Sequence, residues 1–413
     1  MFKPGLTYIP VSGKVYDKKE INNAIAAARD GWWTEGRFAK EFETRFSKVL
    51  GVRYVSLVNS GSSANLVALT SLTSKIFGER ALQDGDEIIT TACAFPTTVN
   101  PIIQNRCIPV FVDVDLGTKN PTYDSIRRAI SRKTKAIMLA HTLGNPLPLE
   151  GIMELVRKYN IWFIEDCCDA LGSRYKGHPV STFGHIATFS FYPAHQITMG
   201  EGGAVVTNNP LIHKSIRQFR DWGRDCWCDT GRDNTCGRRF DWQLGDLPKG
   251  YDHKYIYSQI GYNLKLTDFQ AAIGVAQLDK LPGFIQKRKE NFNCFFAFFE
   301  QYQKYFILPT QEEGADPCWF GFMLVVKEKA PFSKLDMVTY LEDHHIGTRN
   351  LFAGNLLKHP AYTGRLDYRI SGTLVNSDLV MNNGFWIGIY PGITTAMINY
   401  VTEIFTTFFK KYI

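Results

Sequence analysis

The 413-residue sequence has no apolar run near the roughly 20 residues that a membrane-spanning helix needs, so no membrane segment is expected. Met1 to Val11 carries Lys3, Pro4, Gly5 and Pro10 and offers no apolar signal core, which predicts a cytoplasmic protein. Internal repeats, low-complexity tracts and flexible linkers are missing, which excludes solenoid and disordered chains. No dense basic run accompanies the net charge of +7. Nucleic acid is therefore not the expected partner, whereas a mild positive excess suits anionic small molecules. No Gly-x-Gly-x-x-Gly stands between a strand and a helix, so no resident dinucleotide is expected.

What remains is ordinary globular material, 45% apolar and 21% charged, with 14% aromatic residues for a large core and for ring stacking. At about 150 residues per domain the length predicts two or three domains. The nine cysteines are Cys93, Cys107, Cys167, Cys168, Cys226, Cys228, Cys236, Cys294 and Cys318. An odd number in a long cytosolic chain argues against a disulfide framework and towards core, metal or catalytic roles.

Strand-like runs at Tyr54–Val58, Glu87–Thr91, Pro109–Asp113, Lys135–Ala140, Trp162–Glu165, Ala187–Phe191 and Gly203–Thr207 alternate with helical stretches such as Ser63–Ile76, Tyr123–Ala129 and Ile152–Tyr159. This alternation predicts an α/β domain, a mostly parallel seven-stranded sheet covered on both faces. Residues 222–262 break the rhythm with Gly, Asp, Arg, Trp, Tyr and three Cys, the mark of a long functional loop. A long helix is expected from Thr267 to about Phe299, and a terminal amphipathic helix near Asn399–Lys411. The expected division is a large domain over 1–290 and a smaller α+β domain over 291–413.

Ligands of α/β sheets sit at the carboxyl ends of the strands, so the residues just after each strand are the candidates. Asn59-Ser60-Gly61-Ser62-Ser63-Ala64-Asn65 opens a helix, where free N–H groups and hydroxyls receive an anion or simply cap the helix. Asp166 ends a strand, as a partner for a protonated ring nitrogen or as a cap. Ser190-Phe-Tyr-Pro-Ala-His195 runs into Gly200-Glu-Gly-Gly203, and Gly261-Tyr-Asn263-Leu-Lys-Leu-Thr-Asp268 leads into the long helix.

Together, the segments Gly61–Asn65, Ala94–Thr97, Glu165–Gly172, Ser190–Gly203 and Gly261–Gly274 resemble the DegT/DnrJ/EryC1/StrS sugar-nucleotide aminotransferases, of the vitamin-B6-dependent fold-type I class. The resemblance implies that Gly61, Ser62 and Ser190 bind the cofactor phosphate, Phe95 stacks on the pyridine ring and Asp166 holds its nitrogen. It further implies that Asn263 reaches the phosphate of the neighbouring subunit in a homodimer.

That family places a lysine, covalently tethered to pyridoxal phosphate, where this sequence has His195. Imidazole forms no such bond, so the cofactor is expected to be held non-covalently as pyridoxamine 5′-phosphate. A histidine there is instead competent to take and return a proton at the cofactor's C4′ carbon. In this respect the sequence resembles the 3-dehydrases of 3,6-dideoxyhexose formation, which fall into an iron-free branch acting on a GDP sugar and a 2Fe–2S branch acting on CDP-4-keto-6-deoxy-D-glucose. Cys168, Cys226, Cys228 and Cys236 are separated by 57, 1 and 7 residues, a spacing similar to the cluster signature of the CDP branch. Structural zinc uses the same four-thiolate set and is the competing reading. Cys167 is an alternative fourth ligand, and Cys93, Cys107, Cys294 and Cys318 are expected to be buried. Net removal of the C3 oxygen consumes two electrons, and a 2Fe–2S centre passes one at a time. The resemblance therefore implies a separate NADH-dependent flavin/iron–sulfur reductase as electron source. Arg349, in Gly347-Thr-Arg-Asn-Leu-Phe, and His141, at the end of the strand over Lys135–Ala140, are candidate contacts to the nucleotide-sugar substrate.

Overall fold

The computed structural model describes residues 2–412 apart from 229, 365 and 366. Its main sheet is built from β1 (Tyr54–Val58), β2 (Glu87–Thr91), β3 (Ile108–Val112), β4 (Thr134–Ala140), β5 (Trp162–Asp166), β6 (Ile186–Ser190) and β7 (Gly203–Thr207). Each matches its expected run to within one residue at either end. The order is β1-β7-β6-β5-β4-β2-β3, and a two-residue strand, Arg369–Ile370, adds an eighth member beside β3. From β6 to β3 all pairings are parallel, while β7 runs antiparallel to both β6 and β1.

The sheet is apolar on both faces because it is covered on both. Ile88, Met138, Ile164 and Val205 pack with helices α3 (Gly61–Ser71), α4 (Pro96–Gln104) and α7 (Pro210–Arg220). Their neighbours Ile89, Ile137, Phe163 and Val206 face the other way, towards α2 (Arg37–Leu50), α5 (Tyr123–Ala129), α6 (Leu149–Tyr159) and α8 (Asp268–Phe299). Helix α3 ends at Ser71, short of the expected Ile76, because Ser74 turns extended and caps a separate 3₁₀ segment, Lys75–Arg80.

A second core gathers the end of α8 (Phe292, Phe295, Phe299), the strands Gly321–Val326 and Gly384–Gly388, and the terminal helix Thr395–Tyr412. Helix α8 runs through residue 290 without interruption and contributes to both cores. Among the described residues no helix is long and apolar enough to cross a membrane.

The stretch over 222–262 holds little regular structure, a 3₁₀ turn at His253–Tyr255 and an isolated bridge between Arg224 and Tyr257. Its root is fixed by a bridge between Asp221 and Asn263 and by the buried Arg220. The Arg220 guanidinium donates to Glu35 at 2.8 and 3.0 Å, to Asp221 at 2.9 and 3.1 Å and to the Leu57 carbonyl at 3.0 Å. Glu43 accepts from the Leu57 N–H at 3.1 Å beside this network. Burial and then the neighbouring Glu35 push its carboxyl up to about 7. A carboxyl whose folded pKa exceeds its unfolded one keeps an extra proton in the native state, so its ionisation destabilises the fold as pH rises from about 4.5 to 7. Glu43→Gln removes that cost. Thermal unfolding is expected to show the variant more stable than wild type at pH 8, by about 3 kcal/mol, and equal to it near pH 4.

Candidate active site

The carboxyl ends of β1, β5 and β6 open into a cavity of about 1120 Å³, walled on the far side by residues that include Phe320, Arg349, Phe352 and Trp386. Gly61, Ser62, Phe95, Asp166, Cys168, Ser190, His195 and Arg349 all line it. These eight come from widely separated stretches of sequence and share one wall system.

At the head of α3, Ser60 caps the helix by accepting from the Ser63 N–H at 3.1 Å. No charged side chain occupies the first turn, so this helix end offers its positive dipole to an anion. Gly61 lies so close to β6 that a Cβ there would stand 2.4 Å from the Ser190 Cβ and 3.1 Å from the Cys168 sulfur. Only glycine lets the helix start, Ser190 and the end of β5 converge into one cradle. Phe95, at the N-terminus of α4, leaves half its surface exposed on the cavity wall, 6.2 Å from the Phe352 ring.

Asp166 is buried yet reaches the cavity, and its carboxylate is held from several sides. Asn65 Nδ2 and Thr98 Oγ1 donate to Oδ2 at 2.8 and 2.7 Å, and the Cys168 N–H donates to Oδ1 at 3.1 Å. Thr188 Oγ1 in turn donates to the Asn65 side-chain oxygen Oδ1 at 2.6 Å. A carboxylate fixed in this way suits a charged partner of fixed position, such as a protonated ring nitrogen.

His195 is anchored through its backbone, donating to the Tyr192 carbonyl at 3.0 Å and accepting from the buried Arg288 at 3.2 Å. Its ring packs against Phe320 and its Nδ1 stands 3.4 Å from Asp169 Oδ1. The contact is a close charge pairing without a formed hydrogen bond, and it places a carboxylate beside the imidazole where a protonated ring would be stabilised. Anion cradle, stacking ring, anchored carboxylate and imidazole together fit a phosphate-bearing aromatic ring cofactor.

Three expected positions fall elsewhere. His141 is fully buried and lies outside the cavity: its Nδ1 accepts from the Leu147 N–H at 3.1 Å and its Nε2 faces Glu165 Oε2 at 3.1 Å. Both of its ring nitrogens are thus engaged within the fold. Asn263 is outside this chain's own cavity and its amide oxygen accepts from Lys265 Nζ at 3.1 Å. Cys168 does not join the other three thiols. It is fixed at the end of β5, where burial and then the Asp166 carboxylate push its thiol well above the ordinary range. Cys226, Cys228 and Cys236 gather instead around the buried His253, whose Nε2 is 3.5, 3.8 and 3.5 Å from their sulfurs. Burial works against ionisation of Cys228, but hydrogen bonds from Thr235 and the neighbouring cysteines outweigh it and bring the thiol down to about 6. The trio with His253 is a donor set of the kind thiophilic metals take, whereas the four-thiol set read from spacing is divided within this chain. Cys93, Cys107 and Cys318 are buried as expected, while Cys294 is exposed.

Asp169, Asn65, Thr98 and His253 were not assigned roles from sequence. Asp169 had one local signal, its position three residues beyond Asp166.

Residues 14–406 match the profile of the DegT/DnrJ/EryC1/StrS aminotransferase family. The lipopolysaccharide biosynthesis protein RfbH of Salmonella typhimurium is 53% identical over 99% of this chain and 93% of its own length. The dTDP-4-dehydro-2,6-dideoxy-D-glucose 3-dehydratase of Saccharopolyspora spinosa is 48% identical over 99% of this chain and 88% of its own. Among solved structures, the E. coli GDP-4-keto-6-deoxy-D-mannose-3-dehydratase with bound hydrated pyridoxal phosphate superposes with a TM-score of 0.86 at 28% identity, covering 96% of this chain and 99% of that one.

Proposed function

This chain belongs to the DegT/DnrJ/EryC1/StrS aminotransferase family, and we propose that within it the protein is a pyridoxamine-5′-phosphate-dependent 3-dehydratase of CDP-4-keto-6-deoxy-D-glucose, serving 3,6-dideoxyhexose and lipopolysaccharide synthesis. One observation carries the reading: the side chain facing Asp169 in the cavity is an imidazole, His195, and not a lysine amine. The name of the Saccharopolyspora relative, a 3-dehydratase of a dTDP-linked keto-deoxy sugar, supports the reaction and a nucleotide-sugar substrate, and that of the Salmonella relative supports the lipopolysaccharide setting.

When bound, pyridoxamine phosphate supplies an amino group for the sugar's C4 ketone and a ring that takes up electrons. Gly61, Ser62 and Ser190 would hold its phosphate at the head of α3, Phe95 would cover a ring face, and Asp166 would keep the ring nitrogen protonated. His195 takes the proton from C4′ and, once protonated, is placed to assist departure of the C3 hydroxyl as water. Asp169, 3.4 Å from Nδ1, is placed to pair with the imidazolium once it forms. Arg349 stands on the cavity wall as a planar donor for an anionic substrate.

The proposal extends to a 2Fe–2S centre that Cys226, Cys228 and Cys236 would hold with Cys168, the fourth ligand implied by spacing although this chain holds it apart from the loop thiols, fed by an NADH-dependent flavin/iron–sulfur reductase, and to a homodimer in which Asn263 serves the neighbouring site. The low pKa of Cys228 and the gathering of the loop thiols support metal binding by that loop. Anaerobic purification with iron and sulfide analysis, followed by assays on the CDP and GDP sugars, tests it. Equal iron and sulfide, and turnover of the CDP sugar only with a reductase, are expected. Zinc without iron, or GDP-sugar turnover driven by glutamate in a Cys226→Ala/Cys228→Ala variant, would sink it.

A further inference from the structure

A second cavity, of about 820 Å³, lies at the open edge of the main sheet and shares no lining residue with the cavity of His195. It runs along β1, the edge strand, between α2 and α7, and residues 230–232 of the long loop complete its lining. The loop is held there from two sides. Thr230 donates to Glu35 Oε2 at 3.1 Å, and Gly231 packs so tightly on Trp32 that a Cβ would stand 2.5 Å from its ring. Arg232 is thereby brought to a surface that otherwise belongs to the body of the domain.

The lining gathers positive charge that the fold does not neutralise. Arg37 pairs with Asp30, and the buried Arg220 with Glu35 and Asp221. Lys48, Arg53, Arg217 and Arg232 have no ion pair or side-chain hydrogen bond among the described residues. Like charges on one concave surface repel one another and focus a positive potential into it. The acids on the wall do not cancel it: Glu35 is engaged by Arg220, and burial and then Glu35 push the Glu43 carboxyl up to about 7, so it is mostly neutral at pH 6. Uncharged donors stand beside the cations. The Ser56 hydroxyl, in the same lining, is buried without a hydrogen-bond partner among the described residues, where buried polar groups are normally satisfied. On β1 the Leu57 N–H and carbonyl turn outward to Glu43 and Arg220, and the two-residue period of a strand turns the Val55 N–H to the same open edge.

We infer that this cavity is a binding site for a small polyanion with two linked phosphate groups, the class of inorganic pyrophosphate and nucleoside diphosphates. Four unpaired cations match two phosphates, whereas one carboxylate would leave most of them uncompensated, and guanidinium forks suit phosphate oxygens. The volume is that of a small-molecule pocket. Since Arg53 and Arg217 belong to β1's end and α7 while Arg232 rides on the loop, an occupant ties the loop to the body of the domain.

The test uses the full-length protein saturated with pyridoxamine phosphate, so that the cradle at the head of α3 is filled, at pH 6. Pyrophosphate binding is measured by calorimetry and mapped by hydrogen–deuterium exchange. Expected are saturable binding and slowed exchange over residues 53–56 and 230–232. Arg53→Gln/Arg232→Gln changes two exposed side chains and should weaken binding by about tenfold or more. Arg106→Gln, an exposed arginine paired with Asp84 and outside the cavity lining, should bind as wild type does. No saturable binding, or an equal loss in Arg106→Gln and the double variant, would overturn the inference. So would protection confined to residues 60–63, which would put the anion in the cofactor cradle.

Discussion

His195→Asn is expected to lower kcat by about 10³-fold while leaving the cofactor bound, because the substitution removes a base and little else. Asparagine is close in size and keeps a polar tip, but its amide cannot accept and return a proton. The groups that would retain the cofactor, namely Gly61, Ser62, Ser190, Phe95 and Asp166, make no hydrogen bond to the His195 side chain. The backbone at 195 is fixed independently, by Tyr192 and Arg288. Retention is read from the cofactor's absorption after gel filtration, and the base from exchange of the C4′ hydrogen with deuterated solvent. Exchange should stop. If exchange continued undiminished while turnover fell, the proton would belong to another group, and His195 would lose its assignment.

That assignment shows where a linear reading succeeds and where it ends. The seven strands are legible because a sheet covered on both faces needs near-continuous apolar runs, and Ile88-Ile89 or Val205-Val206 bury both neighbours. The strand-end rule then locates backbone positions but not side-chain directions. It places Asp166 in the cavity, as expected. It places His141 equally well at the end of β4, but Glu165 and the Leu147 N–H turn that ring into the core. Asn65 and Thr98 brace Asp166 from two different helices, a convergence no spacing encodes. Cysteine spacing likewise says nothing of which thiols stand together in the folded chain. Cys168 belongs to a rigid strand end packed against Gly61, whereas Cys226, Cys228 and Cys236 ride on a loop organised by His253. Residues that are distant in sequence and carried by different elements share a site only if the topology brings them together.

His195→Lys is expected to do more than abolish the native reaction: it should create a covalent attachment that the wild type lacks. The position lines the cavity that would hold the cofactor, and a lysine there has the reach of four methylenes and a primary amine. Asp169 makes the outcome depend on pH. Its carboxylate, 3.4 Å from the present Nδ1, would pair with the new ammonium and hold it charged. An ammonium has no lone pair with which to attack a carbonyl, so attachment should be slow at pH 7 and rise towards pH 9 as the amine is freed. Adding Asp169→Asn removes the counter-charge, lowers the lysine pKa and should move the onset of attachment to lower pH. Borohydride reduction after incubation with pyridoxal phosphate, followed by peptide mass analysis, detects the product as a stable mass increase at residue 195. With an amino donor such as glutamate, the variant should transfer nitrogen to the 4-keto sugar while C3 deoxygenation falls below detection. A mass increase on some other lysine, with residue 195 unmodified at every pH, would mean that this side chain does not face the reacting carbon, and the dehydratase reading would lose its base.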